Sequence, residues 1–156
     1  MNEYSPKLLK KRKQLDKLEK LEKQSNGISR FKSENIMMLV LDNVLIEDVF
    51  NSIGYESQVY LKHIFKDLDR LNDEEKKYIK HNSSVDFLII NKFDNMPLAA
   101  IEVDGYKYHE NNEEQKKRDI KKNSIFKKFN LNLHRFSTTE QLTDEMLKNI
   151  LMKYVE

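Results

Sequence analysis

Apolar residues recur at steps of three and four along much of the chain, and this spacing predicts helices. The predicted helices cover residues 33–54, 55–71, 111–129 and 137–155. The last of them begins either at Ser137, which would form a capping box with Glu140, or at Thr143. The polar segment 73–84 is interpreted as a linker.

A further helix is predicted over residues 5–27, because Ser5 and Pro6 suit a first turn and Asn26-Gly27 suits an exit. Its thin apolar stripe consists of Leu8, Leu15, Leu18 and Leu21. The stripe is compatible with docking on the domain, with pairing in a homodimer, or with a tether to a helicase or ATPase partner. We therefore predict a basic N-terminal helix and linker over residues 1–33, followed by a domain over residues 34–156.

Three shorter segments are typical of β-strands. They are VDFLIINK, then LAAIEVDGY after the turn FDNMP, and later LNLHRFS. The short strand–turn–strand piece indicates an antiparallel hairpin, and the helix that follows indicates a crossover to a parallel neighbour. Together they predict an α/β fold with a mixed sheet and helices on both faces.

Charge is unevenly distributed, although the net charge is only +2. Residues 1–24 contain eight lysines and arginines against four acidic residues, and residues 105–135 contain nine against four. Two basic zones therefore flank an acidic middle, which favours a polyanionic partner. Solvated helix faces are the plainer explanation for residues 1–24. In the predicted helix of the second zone, Ile120, Phe126 and Phe129 form the inner side.

The composition excludes several classes of protein. The chain contains no cysteine, so disulfides and thiolate metal sites are not available. Its first residues, MNEYSPKLLKKRKQ, show no apolar core of signal-peptide length. No apolar run approaches the roughly 20 residues of a membrane span. We expect a cytoplasmic protein that does not engage a membrane.

Two carboxylates stand in the apolar stretch IEVDGYKYHE. Because alternate side chains of a strand share a face, Glu102 and Asp104 point one way while Ile101 and Val103 point into the core. Asp86, at the start of the neighbouring strand, brings a third acid to the same end of the sheet. Buried carboxylates are costly unless they are paired or bind a metal, and Mg²⁺ prefers oxygen ligands. The pattern indicates a Mg²⁺ site, although acids at alternate positions also occur on solvent-facing strands.

Four pieces of the chain between Val85 and Thr139 resemble, in order and spacing, the PD-(D/E)XK nuclease superfamily. They are SSVDFLIINK, AAIEVDGYKYHE, QKKRDIKKN and LHRFST. The likeness is to small nuclease domains at the C-termini of bacterial helicase-like ATPases, related to the very-short-patch repair endonucleases. It implies a restriction-endonuclease-like mixed β-sheet flanked by helices, with an extra N-terminal helix, and cleavage of DNA with Mg²⁺ or Mn²⁺.

The resemblance also implies roles for individual residues. The implied metal ligands are Asp86, Glu102, Asp104 and the carbonyl of Val103. The implied catalytic residues are Asp86, Glu102, Asp104, Lys122, Gln115 and Glu56, the last as an acid supplied by the preceding helix. The implied DNA contacts are Lys107, His109, Lys117, Arg118, Lys121 and Arg135.

One position departs from the pattern of the superfamily. Asp104 stands where the half-motif ordinarily has a lysine, so the lysine that orients the attacking water has to come from elsewhere. Lys122 on the helix and Lys107 nearer the strand are the two alternatives. Asp104 itself would bind a second metal or hold a water.

The favoured hypothesis is a Mg²⁺-dependent deoxyribonuclease that grips phosphates and has little intrinsic sequence preference. A catalytically inactive nucleic-acid-binding module is the first alternative, and the missing half-motif lysine favours it. A helicase-associated interaction module is the second, and the N-terminal leucine stripe favours that one.

Overall fold

A computed structural model of the protein describes residues 30–104, 112–137 and 142–155, together with Lys10 and Lys13. The chain forms two compact units, one of residues 1–51 with 141–156 and the other of residues 52–140. The bulk of the predicted N-terminal helix lies outside the described residues, as do Glu140 and the side chain of Ser137, the two residues of the predicted cap. The division into residues 1–33 and 34–156 stays a prediction.

Helices and strands are interspersed along the described chain. They are α1 (Arg30–Val44), β1 (Ile53–Tyr60), α2 (Leu61–Ile64), α3 (Asp73–Lys80), β2 (Ser84–Asn91), β3 (Pro97–Asp104), α4 (Glu113–Lys128), β4 (Asn132–Ser137) and α5 (Asp144–Leu151). Short 3₁₀ turns occupy Asp48–Phe50, Leu68–Arg70 and Met152–Tyr154. Over the described ranges, no helix has both the length and the apolar character needed to cross a membrane.

The four strands form one mixed sheet in the order β1-β2-β3-β4. β1 pairs antiparallel with β2, β2 antiparallel with β3, and β3 parallel with β4. The predicted hairpin and the predicted parallel neighbour are both confirmed, and α4 is the crossover helix between β3 and β4. The fold is therefore α/β, with a mixed sheet flanked by helices.

One apolar cluster joins the sheet to α3 and α4. Leu88 of β2 lies opposite Ala100 of β3, and both are buried with Ile79 of α3 and with Ile125 and Phe126 of α4. Burying side chains of the larger kinds stabilises a fold by about 1.5–3 kcal/mol each. This cluster fixes α4 against the sheet face that carries Leu88.

In the unit that contains both termini, α1 packs against α5, and the Asn43 amide donates to the Asp144 carboxylate. α5 begins after Thr143, whose hydroxyl accepts the N–H of Met146 at 3.2 Å. The second of the two predicted starts of this helix is therefore the one observed.

The predicted helix over residues 55–71 is wrong. Ile53–Tyr60 forms the edge strand β1, and a single helical turn and a 3₁₀ turn follow it. The three residues in the middle of β1, Glu56 to Gln58, are exposed, and the strand is held by its backbone pairing with β2. Main-chain hydrogen bonds do not require particular side chains. The segment therefore lacks the alternation of apolar and polar residues that is typical of a strand. The predicted helix over residues 33–54 is confirmed only as far as Val44.

The segment predicted as a linker contains the helix α3. Asn72 accepts the Glu75 N–H at 2.9 Å, and the Glu75 carboxylate accepts the Asn72 N–H at 3.0 Å. This reciprocal pair is a capping box, and an Asn followed three residues later by a Glu is its sequence signature. The signal was present in the sequence and indicates a helix rather than a linker.

Candidate active site

The β2–β3 hairpin opens at the end that carries the predicted acids. The backbone register of the two strands runs toward that end as far as Phe87 opposite Ile101. Past this pair, the N–H of Val103 donates to Oδ2 of Asp86 at 2.8 Å. A side-chain carboxylate therefore takes the place of a backbone acceptor, and this bond holds Asp86 between the two strands.

Asp86 and Glu102 lie on the same face of the sheet. Leu88 and Ala100 are opposite each other, and each acid is two residues from one of them toward the open end. Glu56 lies opposite Leu88 on β1 and so belongs to the same face, but its side chain is exposed. The expectation that Glu56 comes from a helix is therefore wrong, because it stands on the edge strand.

Glu102 is buried and contacts two cations. The exposed fraction of this residue is 6%. Nζ of Lys122, from α4, contacts Oε1, and Nη1 of Arg135, from β4, lies 2.8 Å from Oε2. Arg135 reaches this position because β3 and β4 run parallel, with Glu102 and Arg135 paired in register. The two cations make the buried charge tolerable, since an unpaired buried carboxylate would be costly.

Lys122 is itself buried, with 8% of the residue exposed. Its Nζ also donates to the backbone carbonyl of Ser84 at 2.8 Å. Ile120, which was predicted to face inward, is 67% exposed, so that prediction is wrong. Lys122 instead shares the inner side of α4 with Ile125 and Phe126. The inner side of the helix therefore places an ammonium group against Glu102.

Polar side chains of α4 position Arg135. Nε2 of Gln115 donates to Oδ1 of Asp119 at 3.1 Å, and the same oxygen lies 3.5 Å from Nη1 of Arg135. Oδ1 of Asn123 accepts from Nε and Nη2 of Arg135 at 3.3 and 3.2 Å. The Arg135 side chain is 22% exposed, so it contacts Glu102 and still reaches solvent.

The pKa of Glu102 is raised above its usual value. Burial is the largest cause, and the negative charge of Asp86 adds to it. Lys122 and Arg135 act in the opposite direction but do not cancel the effect of burial. Since the negative charge of Asp86 adds to the raised pKa of Glu102, a cation between the two carboxylates would offset the charge of both.

The other basic residues predicted on α4 lie at its surface. Arg118 pairs with Glu114 at 3.9 Å, and Lys121 pairs with Glu74 of α3 at 3.2 Å. Lys117 is exposed. In the part of the chain that the structure describes, none of these three cations is seen to contact Glu102.

Three predicted positions fall at or beyond the limit of the described structure. Asp104 ends β3 with its backbone in register with Ser137, and its side chain lies outside the description. Lys107 and His109 lie wholly outside the described residues. Of the two alternatives to the half-motif lysine, Lys122 contacts Glu102, whereas Lys107 lies outside the described residues and stays a prediction.

Sequence reasoning missed three groups that contact the site. They are the carbonyl of Ser84, the amide of Asn123, and Gln58, whose Nε2 lies 3.5 Å from Oδ1 of Asp86. Gln58 adopts a positive φ of 52° on β1. Ser84 and Asn123 lie inside two of the quoted motif pieces but were given no role there, and no pattern points to Gln58. Strand pairing and helix docking bring all three to the site.

The oxygen donors at this site suit a hard divalent cation. Over residues 30–104, 112–137 and 142–155, no three His, Cys, Asp or Glu side chains converge to hold a metal ion. Mg²⁺, however, commonly binds through one or two carboxylates and keeps several waters. Asp86 and Glu102 provide two carboxylates on one face, which is the kind of donor that Mg²⁺ and Mn²⁺ prefer. Both oxygens of Glu102 already contact cations, Lys122 and Arg135, so a metal ion would have to compete with them.

Comparison with known proteins gives one family. Residues 31–154 match the model of the family described as "Protein of unknown function (DUF2726)", and the match covers most of the chain. No curated protein and no solved structure matches the chain.

Proposed function

We propose that this chain, which belongs to the DUF2726 family, is a metal-dependent nuclease that hydrolyses phosphodiester bonds of DNA with little sequence preference of its own. One observation carries the proposal. Asp86 and Glu102 share a sheet face where the hairpin opens, and Glu102 is buried between Lys122 and Arg135. A restriction-endonuclease-like arrangement of the sheet and helices is part of the same proposal, and the strand order with α4 as crossover supports it.

The cation would be held by Asp86, Glu102 and the carbonyl of Val103. The resemblance adds the side chain of Asp104 to this set. When bound, Mg²⁺ supplies polarisation of the phosphodiester and lowers the pKa of a water.

Lys122 acts on Glu102 rather than on the substrate. Its Nζ is buried and divided between the Glu102 carboxylate and the Ser84 carbonyl. In this position it offsets the charge of Glu102 and fixes the orientation of the carboxylate. Lys122 therefore supplies the positive charge that the half-motif lysine would supply, and it acts as a positioning residue for Glu102.

Arg135 is the cation of the site that reaches solvent, so it is the group we expect to contact a phosphate. Its guanidinium has donors in several directions, and a planar fork of this kind suits phosphate oxygens. Asp119 and Asn123 hold the guanidinium in place, and Gln115 holds Asp119.

The surface cations of α4 would add affinity without base recognition. Lys117, Arg118 and Lys121 lie within about one turn in the middle of the helix, and phosphate contacts of this kind carry no sequence information. We therefore expect binding that weakens steeply with salt.

The experiment combines metal binding with cleavage. Calorimetry would measure Mg²⁺ and Mn²⁺ binding, and plasmid and single-stranded DNA would report cutting. Glu102→Gln keeps the shape of the side chain and removes its charge, and Glu74→Gln is the matched control because Glu74 is an exposed acid on α3. We expect Glu102→Gln to lose more than the roughly 10–100-fold that removal of outer-shell groups costs in metal affinity or activity, and Glu74→Gln to behave as wild type.

A loss of binding or cutting is informative only if the variant is folded, so thermal unfolding of each variant is measured alongside the assays. If Glu102→Gln fails to fold, Asp86→Asn replaces it, because Asp86 is only half-buried. Cutting by wild type that persists unchanged in a folded variant of either acid would refute the proposal.

A second candidate function is a nucleic-acid-binding module without catalysis. It is favoured by the ion pairs of Glu102, since Lys122 and Arg135 occupy both carboxylate oxygens and a metal has to compete with them. DNA binding without metal binding or cutting in the wild type would establish this alternative. The partner helicase and the homodimer stay predictions, because the helix that suggested them lies outside the described residues.

A further inference from the structure

A groove of about 400 Å³ lies beside Arg135, between the C-terminal half of α4 and the strand β4. Its volume falls within the range of small-ligand pockets, and the groove is open to solvent. Leu131 and Leu133, both half-buried, provide its apolar surface, and Phe126, which also lines it, is buried. The groove therefore offers apolar area to a flat group that enters from solvent.

The charged residues that line this groove are both cations, Lys127 and Arg135. Arg135 is paired with Glu102 and Asp119, whereas Lys127 is exposed at the rim. No acidic side chain among the described residues lines the groove. The charge favours an anionic occupant, and Lys127 marks where a negative group would lie.

Three amides complete the lining, from Asn123, Asn130 and Asn132. A side-chain amide carries both a donor and an acceptor, which is the pattern that nucleobase edges require. Asn130, at the turn between α4 and β4, has a positive φ of 54° and lines the groove. Apolar area, amides and cations together match a nucleotide: a flat base, hydrogen-bonding edges and a phosphate.

The groove is continuous with the candidate active site through Arg135. The same guanidinium contacts the Glu102 carboxylate and lines the groove. A strand whose phosphate lies against Arg135 would therefore place its next nucleotide at Leu131 and Leu133. In a duplex, base faces are covered by stacking neighbours, so only an unpaired base can use the apolar area.

We propose that this groove binds an unpaired nucleotide next to the cleaved phosphodiester, so that the substrate of the protein is single-stranded DNA or a single-stranded flank. The inference rests on the proposed nuclease function for its chemistry. Binding in the groove does not depend on cleavage, because the groove would bind a strand whether or not the strand is cut.

The test measures binding without cleavage. Fluorescence anisotropy in EDTA compares a labelled single-stranded oligonucleotide with the same sequence as a duplex. The variant is Lys127→Gln with Asn130→Gly, since glycine accepts the positive φ at residue 130. Lys92→Gln is the matched control, because Lys92 is an exposed lysine in the β2–β3 turn and does not line the groove.

We expect the double variant to weaken single-strand binding about tenfold and duplex binding less than twofold, while the control changes neither. The proposal is overturned if the folded double variant binds single strands within twofold of wild type. It is also overturned if single-strand and duplex binding weaken equally. A 4-thiothymidine placed in the oligonucleotide should cross-link to the segment 123–135, and cross-links confined to other segments would also overturn it.

The two proposals fail in different ways. If Glu102→Gln abolishes cutting while the double variant binds single strands normally, the nuclease proposal is supported and the groove proposal is refuted. If wild type binds single strands through the groove but never cuts with Mg²⁺ or Mn²⁺, the groove stands and the nuclease falls.

Discussion

Two buried glutamates contact lysines of the same helix, yet the pKa of one carboxyl is lowered and that of the other is raised. Glu75 of α3 is 3% exposed and pairs with Lys128, at 2.6 Å. Glu102 of β3 is 6% exposed and pairs with Lys122. Both are held by α4, so the difference lies in how deeply each carboxyl is buried and in its remaining partners.

Burial acts to raise the pKa of Glu75, but hydrogen bonds from Lys128, Ser124 and the Asn72 N–H outweigh it, and the pKa is lowered. Ser124 Oγ donates to Oε1 at 2.7 Å. Burial also raises the pKa of Glu102, and there it prevails despite Lys122 and Arg135.

The comparison separates a structural acid from an acid suited to bind a cation. Glu75 caps α3 and ties it to α4, and its oxygens are satisfied by three donors. Glu102 lies near a second carboxylate, Asp86, and its charge is only partly compensated. A buried acid with a raised pKa beside another acid is typical of functional sites.

The largest effect is expected for Lys122→Met. This change leaves Glu102 buried with one cation instead of two, and breaking a buried pair costs about 3–5 kcal/mol of unfolding free energy. Lys128→Met should cost less, because the Lys128 side chain is 36% exposed and Glu75 keeps its other donors. Urea unfolding at pH 7 measures both, and equal losses would contradict the comparison.

The double variant Lys122→Met with Glu102→Gln should recover part of that loss. Replacing both partners removes the uncompensated charge, whereas replacing one partner leaves it. The double-mutant cycle should give a coupling within the 0.5–3 kcal/mol range found for residues in contact. A cycle with no coupling would mean that Arg135 alone compensates Glu102.

Glu75→Gln should lose stability in a pH-dependent way. Because the folded pKa of Glu75 lies below 4.5, its contribution is present above that value and is lost as the pH falls through the folded pKa. We expect a loss of about 2 kcal/mol at pH 7, the size typical of hydrogen bonds to a charged group. The loss should vanish at the acid end of a series of unfolding curves.

The exposed neighbour Glu74 is the control for that series. Its ion pair with Lys121 is at the surface, so Glu74→Gln should change stability by about 0–1 kcal/mol. A loss for Glu75→Gln that is independent of pH would show that its charge is not what stabilises the fold.

A smaller effect than at Glu75 is expected at the cap of α3. Asn72→Ala removes the acceptor for the Glu75 N–H and should cost about 1 kcal/mol, while Asn72→Ser keeps an acceptor and should cost less. Thermal unfolding measures the difference. Metal binding at Glu102 should not change, and a change would mean that the two acids are coupled through α4.

The strands β2, β3 and β4 and the helix α4 were predictable from sequence. VDFLIINK and LNLHRFS combine β-branched or aromatic residues with short length, and the turn FDNMP joins two of the strands at hairpin distance. α4 has a long periodic pattern with Asn112 as its cap. Local propensity and tertiary structure agree in these elements.

β1 was not predictable in the same way. Only Ile53 and Gly54 are buried in this strand, and the exposed residues from Glu56 to Gln58 follow no alternation. Its structure comes from main-chain bonds to β2, which depend on where β2 lies. The partner that makes this segment a strand is about 30 residues away along the chain, beyond the reach of local pattern rules.

The sequence by itself determined which acids stand on the hairpin strands and that Glu102 and Asp104 alternate with core residues, because side-chain alternation is a local property of a strand. Only the tertiary structure decided that Lys122 turns inward while Ile120 faces solvent. Strand pairing and the docking of α4 also decided that Arg135 reaches Glu102 and that Asp86 bonds to Val103. These contacts join residues from different elements, and the positions of those elements follow from burying a common core rather than from any local pattern.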